Sequence, residues 1–281
     1  MITPFDSKGK IDYAAVDGLT EWYLASGCVG IFSPCLSSEM FDLSPKERID
    51  LATHVKKRVG GRGAVVGTGT YGGTIEEQAA FVNKMGKCCD AVVVNTATLV
   101  PQEASEAEWQ AAAAKLLKLT GAVPLGLYEC PVPHKRLLSP AMMKWCADSG
   151  RFHFHKDTCC NMPEISAKLE AVGAAAAAGS GGKRPAKKQK KAEVAAETTP
   201  FRFYNANVET LLPSVMAGAH GFSGISANLC ALTHPRPVRS LPLAGSTRLN
   251  VRLERIATLR SSALAWPLLV RDHSLPSIPV T

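Results

Sequence analysis

Short apolar segments alternate with longer helix-like segments along most of this chain, and this alternation limits the possible folds more than any other feature. The predicted strands are short and rich in valine, isoleucine and phenylalanine; they cover residues 28–33, 64–68, 91–95, 123–129, 152–157, 201–205 and 222–226. The predicted helices flank them at residues 13–26, 45–59, 74–85, 105–119, 140–148, 162–172 and 208–217. Alternation at this spacing indicates βα units and a parallel sheet.

Helix start signals support this division. A serine or threonine followed three residues later by glutamate is the signature of a capping box, in which the two residues satisfy each other's backbone N–H groups. The pattern recurs before three of the predicted helices: Ser44 and Glu47, Thr74 and Glu77, and Ser105 and Glu108.

Length and strand number favour a barrel over an open sheet. A (β/α)8 TIM barrel needs about 250 residues, and the chain has 281. Residues 2–3 are interpreted as the remnant of a first strand, so we expect an α/β TIM barrel that lacks most of strand 1 and the C-terminal helices. A doubly wound sheet is less favoured, because no GxGxxG motif follows the first strand. The glycine-rich segment 67–73 is interpreted as a turn, with contact to a ligand phosphate as the alternative.

Two regions do not fit the alternation, so the predicted barrel comprises residues 1–173 and 200–230. Residues 174–199 are rich in alanine, glycine and lysine and are predicted to be a disordered basic insertion. Its basic run at 183–191 is interpreted as a solvated linker, with a nuclear-localisation signal as the alternative. Residues 231–281 form a divergent Arg-rich tail with seven arginines and no lysine, and a shifted reading frame or a wrongly joined exon is our hypothesis for it.

The net charge of +8 comes from these two regions. Residues 183–199 contribute +4 and residues 231–281 contribute +5, which leaves −1 for the rest of the chain. A nearly neutral body argues against a folded nucleic-acid surface. We expect no membrane span and no signal peptide, and we interpret the nine scattered cysteines as reduced thiols of a cytoplasmic protein.

Candidate chemistry lies at the ends of two neighbouring predicted strands. Strand alternation places Phe152, Phe154 and Lys156 on one face. Burial disfavours the charged form of a lysine, and a neutral amine can attack a ketone to form a Schiff base. Tyr128 ends the preceding strand, where its phenol could reach the same substrate. The alternative is a lysine at the barrel rim that pairs with Asp157.

Five motifs, in order and spacing, resemble one family. They are Thr3-Pro4-Phe5-Asp6, the segment 30–48 with Ser37-Ser38-Glu39, Tyr128 with Pro131, Lys156-Asp157, and the segment 218–228 with Ser226. Together they resemble the dihydrodipicolinate synthase and N-acetylneuraminate lyase family of class I pyruvate-dependent aldolases.

The resemblance implies a carbon–carbon or carbon–oxygen lyase of the Schiff-base type. Lys156 would attack the keto carbon of pyruvate or another 2-oxo acid, and Tyr128 would relay protons. The loop with Ser37 and Ser38 would bind the carboxylate, with simple turn formation as the alternative, and Ser226 would be a further substrate-binding residue. The resemblance implies small-molecule 2-oxo acid and aldehyde substrates, a homo-oligomer, and no metal or organic cofactor.

Departures from the family pattern affect the second substrate. Leu36-Ser37 stands where the family has two threonines, and the segment 95–99 lacks the tyrosine that completes the proton relay in dihydrodipicolinate synthases. The arginine that follows the Tyr-x-x-Pro motif in those enzymes is displaced. Here the sequence is His134-Lys135-Arg136, which could hold an acidic group of a sugar acid or form a solvated loop. Another aldol substrate is therefore favoured over lysine biosynthesis, and the alternative function is a catalytically inactive relative with a binding or structural role.

Overall fold

The computed structural model describes residues 1–173 and 201–230, and there it forms one parallel sheet flanked by helices. The seven strands lie side by side in chain order: β1 Gly30–Phe32, β2 Ala64–Thr68, β3 Ala91–Asn95, β4 Leu125–Tyr128, β5 Phe152–Asp157, β6 Arg202–Asn205 and β7 Gly221–Phe222. The helices are α1 Tyr13–Ala25, α2 Pro45–Val59, α3 Ile75–Met85, α4 Glu106–Leu119, α5 Pro140–Asp148, α6 Met162–Ala171, α7 Leu211–Met216 and α8 Ala227–Cys230. Two 3-10 turns follow β1 and β3, at Leu36–Ser38 and Thr96–Thr98.

The strand order confirms the predicted βα units. Every neighbouring pair of strands is parallel, which requires a crossover between consecutive strands. Helix α1, before the first strand, also contacts helix α8, after the last one, through a 2.7 Å hydrogen bond from the Tyr23 hydroxyl to Asn228. The result is a TIM-barrel-like fold.

All three predicted capping boxes are present. The side chains of Ser44, Thr74 and Ser105 each accept the backbone N–H of a glutamate three residues later, and each glutamate accepts from the capping residue. Helices α2, α3 and α4 therefore begin within one residue of their predicted starts.

Several boundaries differ from prediction. Residues 2–3 form no strand, although the Met1 nitrogen donates a 2.9 Å hydrogen bond to the Phe32 carbonyl at the edge of β1. Strand β7 ends at Phe222 rather than at residue 226, and helix α7 is shorter at both ends than the predicted 208–217. The insertion (174–199) and the tail (231–281), and with them the predicted loss of C-terminal helices, lie outside the described residues.

Alternate residues of the strands contribute to different apolar clusters. A large cluster between sheet and helices contains Val92, Val94, Leu125, Leu127 and Phe203. A second cluster lies on the opposite face, and we call it the inner cluster; its members are Met40, Val93, Tyr128 and Cys130, with Phe32, Leu36, Phe41, Val66, Tyr71 and Phe154 packed against them. Because residues with even spacing share a face of a strand, Lys156 belongs with Phe154 on the inner side.

Within the described residues, helices of the length and hydropathy required to cross a bilayer are absent.

Candidate active site at the ends of strands β4 and β5

Lys156 and Tyr128 are brought together, as the sequence predicted. They are register partners at the ends of β5 and β4, and the Lys156 Nζ lies 4.2 Å from the centre of the Tyr128 ring. The same Nζ lies 5.2 Å from the centre of the Phe32 ring. As a whole residue, Lys156 is partly exposed.

The predicted shared face of Phe152, Phe154 and Lys156 is wrong for Phe152. The β4–β5 register shifts between Leu125 and Gly126, whose partners are Phe152 and Phe154, so one extra residue, His153, interrupts the alternation. Phe152 consequently packs in the large cluster between sheet and helices, whereas Phe154 packs in the inner cluster.

The surroundings of Lys156 favour its neutral form. Loss of solvent around the ammonium lowers the pKa of Lys156, and this effect exceeds the opposing influence of the thiols of Cys35 and Cys130. Among the described residues, Lys156 forms no ion pair with a carboxylate. The alternative in which it pairs with Asp157 is therefore wrong, because Asp157 lies on the opposite face of β5 and contacts Lys168.

Tyr128 is held in its protonated form. Only 4% of the residue is exposed, and burial raises the pKa of its phenol, with smaller contributions from Cys130 and Cys35. Its ring packs edge-on against Phe32, with 5.7 Å between ring centres. A protonated phenol beside an amine can donate a proton to an oxygen that leaves during imine formation.

The predicted carboxylate loop is present, but the hydroxyls of Ser37 and Ser38 already have partners. Ser38 is fully buried; its hydroxyl donates to the Met1 carbonyl at 2.6 Å and accepts from the Cys35 N–H at 3.0 Å. The Ser37 hydroxyl lies 3.4 Å from the same Met1 carbonyl and 3.2 Å from the Cys35 thiol. These contacts support the alternative of turn formation, because the hydroxyls organise the loop.

Ser226 does not lie at a strand end. It precedes helix α8, in the turn that follows β7, because β7 has only two residues. Its side chain is partly buried. Its predicted contact with substrate stays a prediction.

The basic residues after the Tyr-x-x-Pro motif divide into two kinds. Arg136 donates hydrogen bonds to the carbonyls of Pro101, Gln102 and Ala104 at 2.8–2.9 Å, so it stabilises the loop that contains these residues. Exposed Lys135 reaches across to the Thr158 carbonyl at 2.6 Å, close to the end of β5. Of these two basic residues, Lys135 is the one that contacts the segment directly after the strand that carries Lys156.

Sequence reasoning missed two polar residues on the inner side. Tyr204 of β6 is the register partner of Lys156 on the side opposite Tyr128, and burial raises the pKa of its phenol. The Thr68 hydroxyl, at the end of β2, is buried and has no hydrogen-bond partner among the described residues. A rule that every polar strand-end residue is a candidate would have found both.

A second group of charged residues lies behind the site, on the helix side of the sheet. Glu129, His155 and Asp157 are fully buried and offer ligand atoms within 4.8 Å of one another, close enough to hold a metal ion. The Lys168 ammonium already contacts both carboxylates, at 2.7 Å and 2.8 Å. The site therefore has a resident cation, and a metal ion would have to displace it.

Known proteins similar to this chain point to one family. A sequence model of the dihydrodipicolinate synthetase family matches residues 1–101. The 4-hydroxy-tetrahydrodipicolinate synthase of Limosilactobacillus fermentum is 37% identical over 87 residues, which cover 31% of this chain and 28% of that protein. The protein of that name from Anaeromyxobacter dehalogenans is 26% identical over 246 residues, 87% of this chain and 72% of that protein. These similarities support assignment to the dihydrodipicolinate synthetase family, whose model matches the first 101 residues of the chain.

Solved structures are similar to this chain in fold. The dihydrodipicolinate synthase of Bacteroides thetaiotaomicron superposes with a TM-score of 0.74 at 20% identity, covering 98% of this chain and 82% of that one. The fold agrees with the one that the resemblance in the motifs implied. The chain spans about a quarter of the Limosilactobacillus relative's length and about three quarters of the Anaeromyxobacter one's.

Proposed function

We propose that this chain is a Schiff-base-forming lyase or aldolase that acts on pyruvate or another 2-oxo acid. The observation that carries the proposal is the position of the Lys156 amine, 4.2 Å from the centre of the Tyr128 ring on the inner face of the sheet. Similarity to the dihydrodipicolinate synthetase family supports pyruvate-dependent chemistry of this class.

Lys156 is the nucleophile of the proposed reaction. Its neutral amine attacks the keto carbon, a carbon–nitrogen bond forms, and the keto oxygen leaves as water after proton transfer. The resulting imine withdraws electrons from the neighbouring carbon. A carbon–carbon bond to that carbon can then break or form without a metal or an organic cofactor. The lowered pKa of Lys156 provides the neutral amine that the first step consumes.

Tyr128 supplies and recovers the protons. Its phenol stays protonated because burial raises its pKa, so it donates to the departing oxygen and takes the proton back when the imine is hydrolysed. The ring contact with Phe32 limits the positions that the phenol can adopt.

Backbone groups of the loop at Leu36–Ser38 bind the substrate carboxylate in this proposal. The hydroxyls of Ser37 and Ser38 fix the loop, since their hydrogen bonds are made to Met1 and Cys35. The inner hydroxyl of Thr68 is a further candidate donor, because it is buried without a partner among the described residues.

The second substrate is an aldehyde with an acidic group, recognised by Lys135. This residue is anchored to Thr158, two residues beyond Lys156, whereas Arg136 is engaged by three loop carbonyls. Assembly into a homo-oligomer remains part of the proposal. A catalytically inactive relative is the alternative, and the occupied hydroxyls of Ser37 and Ser38 favour it.

Deuterium uptake by pyruvate tests the proposed function and separates it from the inactive alternative. An imine at Lys156 equilibrates with an enamine, so the methyl protons of pyruvate exchange in heavy water and their NMR signal disappears. We expect the wild-type chain to catalyse this exchange and Lys156→Met to abolish it. Tyr128→Phe should slow it by about 10²–10⁴-fold, the usual contribution of an acid–base group.

Lys118→Met is the matched control, because Lys118 is exposed on helix α4. Its exchange rate should equal that of the wild-type chain. A folded wild-type chain that exchanges pyruvate no faster than Lys156→Met would establish the inactive alternative.

A further inference from the structure

Four buried charged or titratable side chains lie directly behind the candidate active site: Glu129, His155, Asp157 and Lys168. We call them the buried quartet. The Lys168 ammonium, on helix α6, lies 2.7 Å from the Glu129 Oε1 and 2.8 Å from the Asp157 Oδ2. The His155 Nε2 lies 3.6 Å from the Glu129 Oε2 and 3.7 Å from the Asp157 Oδ2.

The quartet and the site residues alternate along the same two strands. Glu129 directly follows Tyr128, and His155 and Asp157 stand on either side of Lys156. Because successive side chains of a strand point to opposite faces, each residue of the active site is flanked in sequence by quartet members on the other face. The quartet is therefore attached to the same backbone that carries Lys156 and Tyr128.

Further hydrogen bonds join the ends of β4 and β5 at this level. The Glu129 N–H donates to the Lys156 carbonyl at 3.3 Å, and the Thr158 hydroxyl donates to the Glu129 carbonyl at 2.6 Å. The Glu129 carboxylate also accepts the backbone N–H of Leu138 at 2.9 Å, which fixes the loop that follows β4. The two strand ends are thus tied by both backbone and side chain.

Electrostatic attraction within the buried quartet favours the charged form of each of its residues. Burial opposes charge on every member, but the charges of His155 and Lys168 outweigh burial and lower the pKa of Glu129 and of Asp157. Burial is likewise outweighed at His155 and Lys168, where the carboxylates raise the pKa. The close contacts of the quartet are those of the Lys168 ammonium with the two carboxylates, whereas the nitrogens of His155 are buried without a hydrogen-bond partner among the described residues.

Such a network is a costly way to stabilise a fold. The desolvation of buried ions often exceeds their mutual attraction, and apolar side chains of similar volume frequently stabilise a protein as well or better. The quartet lies between the ends of β4 and β5, and this position suggests a role other than stabilising the fold. We propose that the buried quartet positions Tyr128 and Lys156 relative to each other, with Lys168 as the cation that joins β4 to β5 through Glu129 and Asp157.

The catalytic consequence of this inference rests on the proposed function. The test therefore has two measurements, one of catalysis and one that needs no substrate. The variants are Lys168→Met, Lys168→Arg and the charge-matched pair Glu129→Gln with Lys168→Met. The pair avoids leaving an unpaired Glu129 carboxylate, so it keeps the test valid if Lys168→Met alone fails to fold.

The catalytic measurement is the rate of pyruvate deuterium exchange at several pyruvate concentrations. It gives the maximal rate and the pyruvate concentration at half of that rate. Small misplacements of reacting groups can reduce rates by up to 10²-fold. We expect Lys168→Met and the charge-matched pair to lower the maximal rate by about ten- to a hundredfold with little change in half-saturating concentration. Lys168→Arg, which keeps the charge, should recover part of the rate.

The substrate-free readout is backbone amide hydrogen exchange. In the folded variants without a cation at position 168, the amides of Glu129 and Thr158 should exchange at least tenfold faster, because the strand ends separate. The amides of Val65 and Val66 in β2 should be unchanged. A merely global loss of stability would instead accelerate all of them.

Folded variants with wild-type exchange rates at both Glu129 and Thr158 would overturn the positioning role, whatever the catalytic result. If the wild-type chain itself fails to exchange pyruvate, the proposed function fails separately, and the amide rates still decide whether the quartet joins the strand ends.

Discussion

The amine of Lys156 is placed where its charge is unfavourable. It faces the rings of Phe32 and Tyr128, and it has no carboxylate partner among the described residues. The lowered pKa of Lys156 means that the folded state disfavours the ammonium relative to the unfolded state. Placing this lysine in such an environment therefore costs free energy of folding at neutral pH, a cost that function can explain.

Replacing Lys156 with methionine should stabilise the fold. The gain should be present at pH values below the folded-state pKa and should disappear as the pH rises past 10.5, the ordinary lysine value, because the amine is then neutral in both states. A gain of about 1 kcal/mol would raise Tm by roughly 2–4 °C. Thermal unfolding of Lys156→Met and of exposed Lys118→Met at neutral and alkaline pH measures it.

The Lys118→Met control should leave Tm unchanged at either pH. A lower Tm for Lys156→Met at neutral pH would mean that the ammonium is well solvated in the folded chain, which contradicts the account of its environment.

At the residue scale, the sequence was sufficient for the pair Lys156 and Tyr128, because a strand-end position and parallel register follow from local patterns. It was not sufficient for Ser37 and Ser38. Their hydroxyls are engaged by Met1 and Cys35, and a contact between Met1 and Ser38 joins residues far apart in sequence. The interpretation of the glycine-rich segment was correct in part: Gly67 and Thr68 belong to β2, and Gly72 and Gly73 adopt positive φ in the following turn.

At the scale of the elements, the pairing of β4 with β5 determines which side chains face the candidate active site. The register shift opposite Gly126 moves Phe152 to the helix side and leaves Phe154 on the inner side. No alternation rule predicts an inserted residue, because the bulge depends on how two strands fit each other. Strand β5 itself was predicted with its correct limits, residues 152–157.

Gly126 of β4 lies against the face of the Phe154 ring. A Cβ at this position would lie 2.2–2.5 Å from three ring atoms, so the ring would have to move. Phe154 packs on Tyr204, at 6.2 Å between ring centres, next to Lys156. The glycine thus leaves the space that Phe154 occupies.

Gly126→Ala should disturb the site through Phe154. Overpacking typically costs about 1–3 kcal/mol, and the displaced ring should lower the pyruvate exchange rate by about tenfold or more. Denaturant unfolding and pyruvate exchange measure the two effects. Gly18→Ala is the control: a Cβ there meets no atom within 4 Å, and alanine in helix α1 should stabilise by about 0.5–1 kcal/mol. Wild-type exchange in Gly126→Ala would show that the position of Phe154 does not matter.

At the scale of the whole molecule, the order of strands and helices followed from the sequence. Seven strands and the main helices were predicted because each apolar segment is short and three helices begin with a capping box. The buried quartet was not predicted. His155, Asp157 and Lys168 become neighbours only when helix α6 packs on β5, and charged residues in a strand otherwise suggest an exposed face.

The central claim is that Lys156 forms the imine, and the fold and the similarity to known proteins are its context. Incubation with pyruvate and borohydride, followed by digestion and mass spectrometry, tests it most directly, since reduction converts an imine into a stable carboxyethyl-lysine. The account predicts this modification on Lys156, and its loss in Lys156→Met. A folded chain that carries no adduct, or carries it on another lysine while Lys156 stays unmodified, would contradict the account.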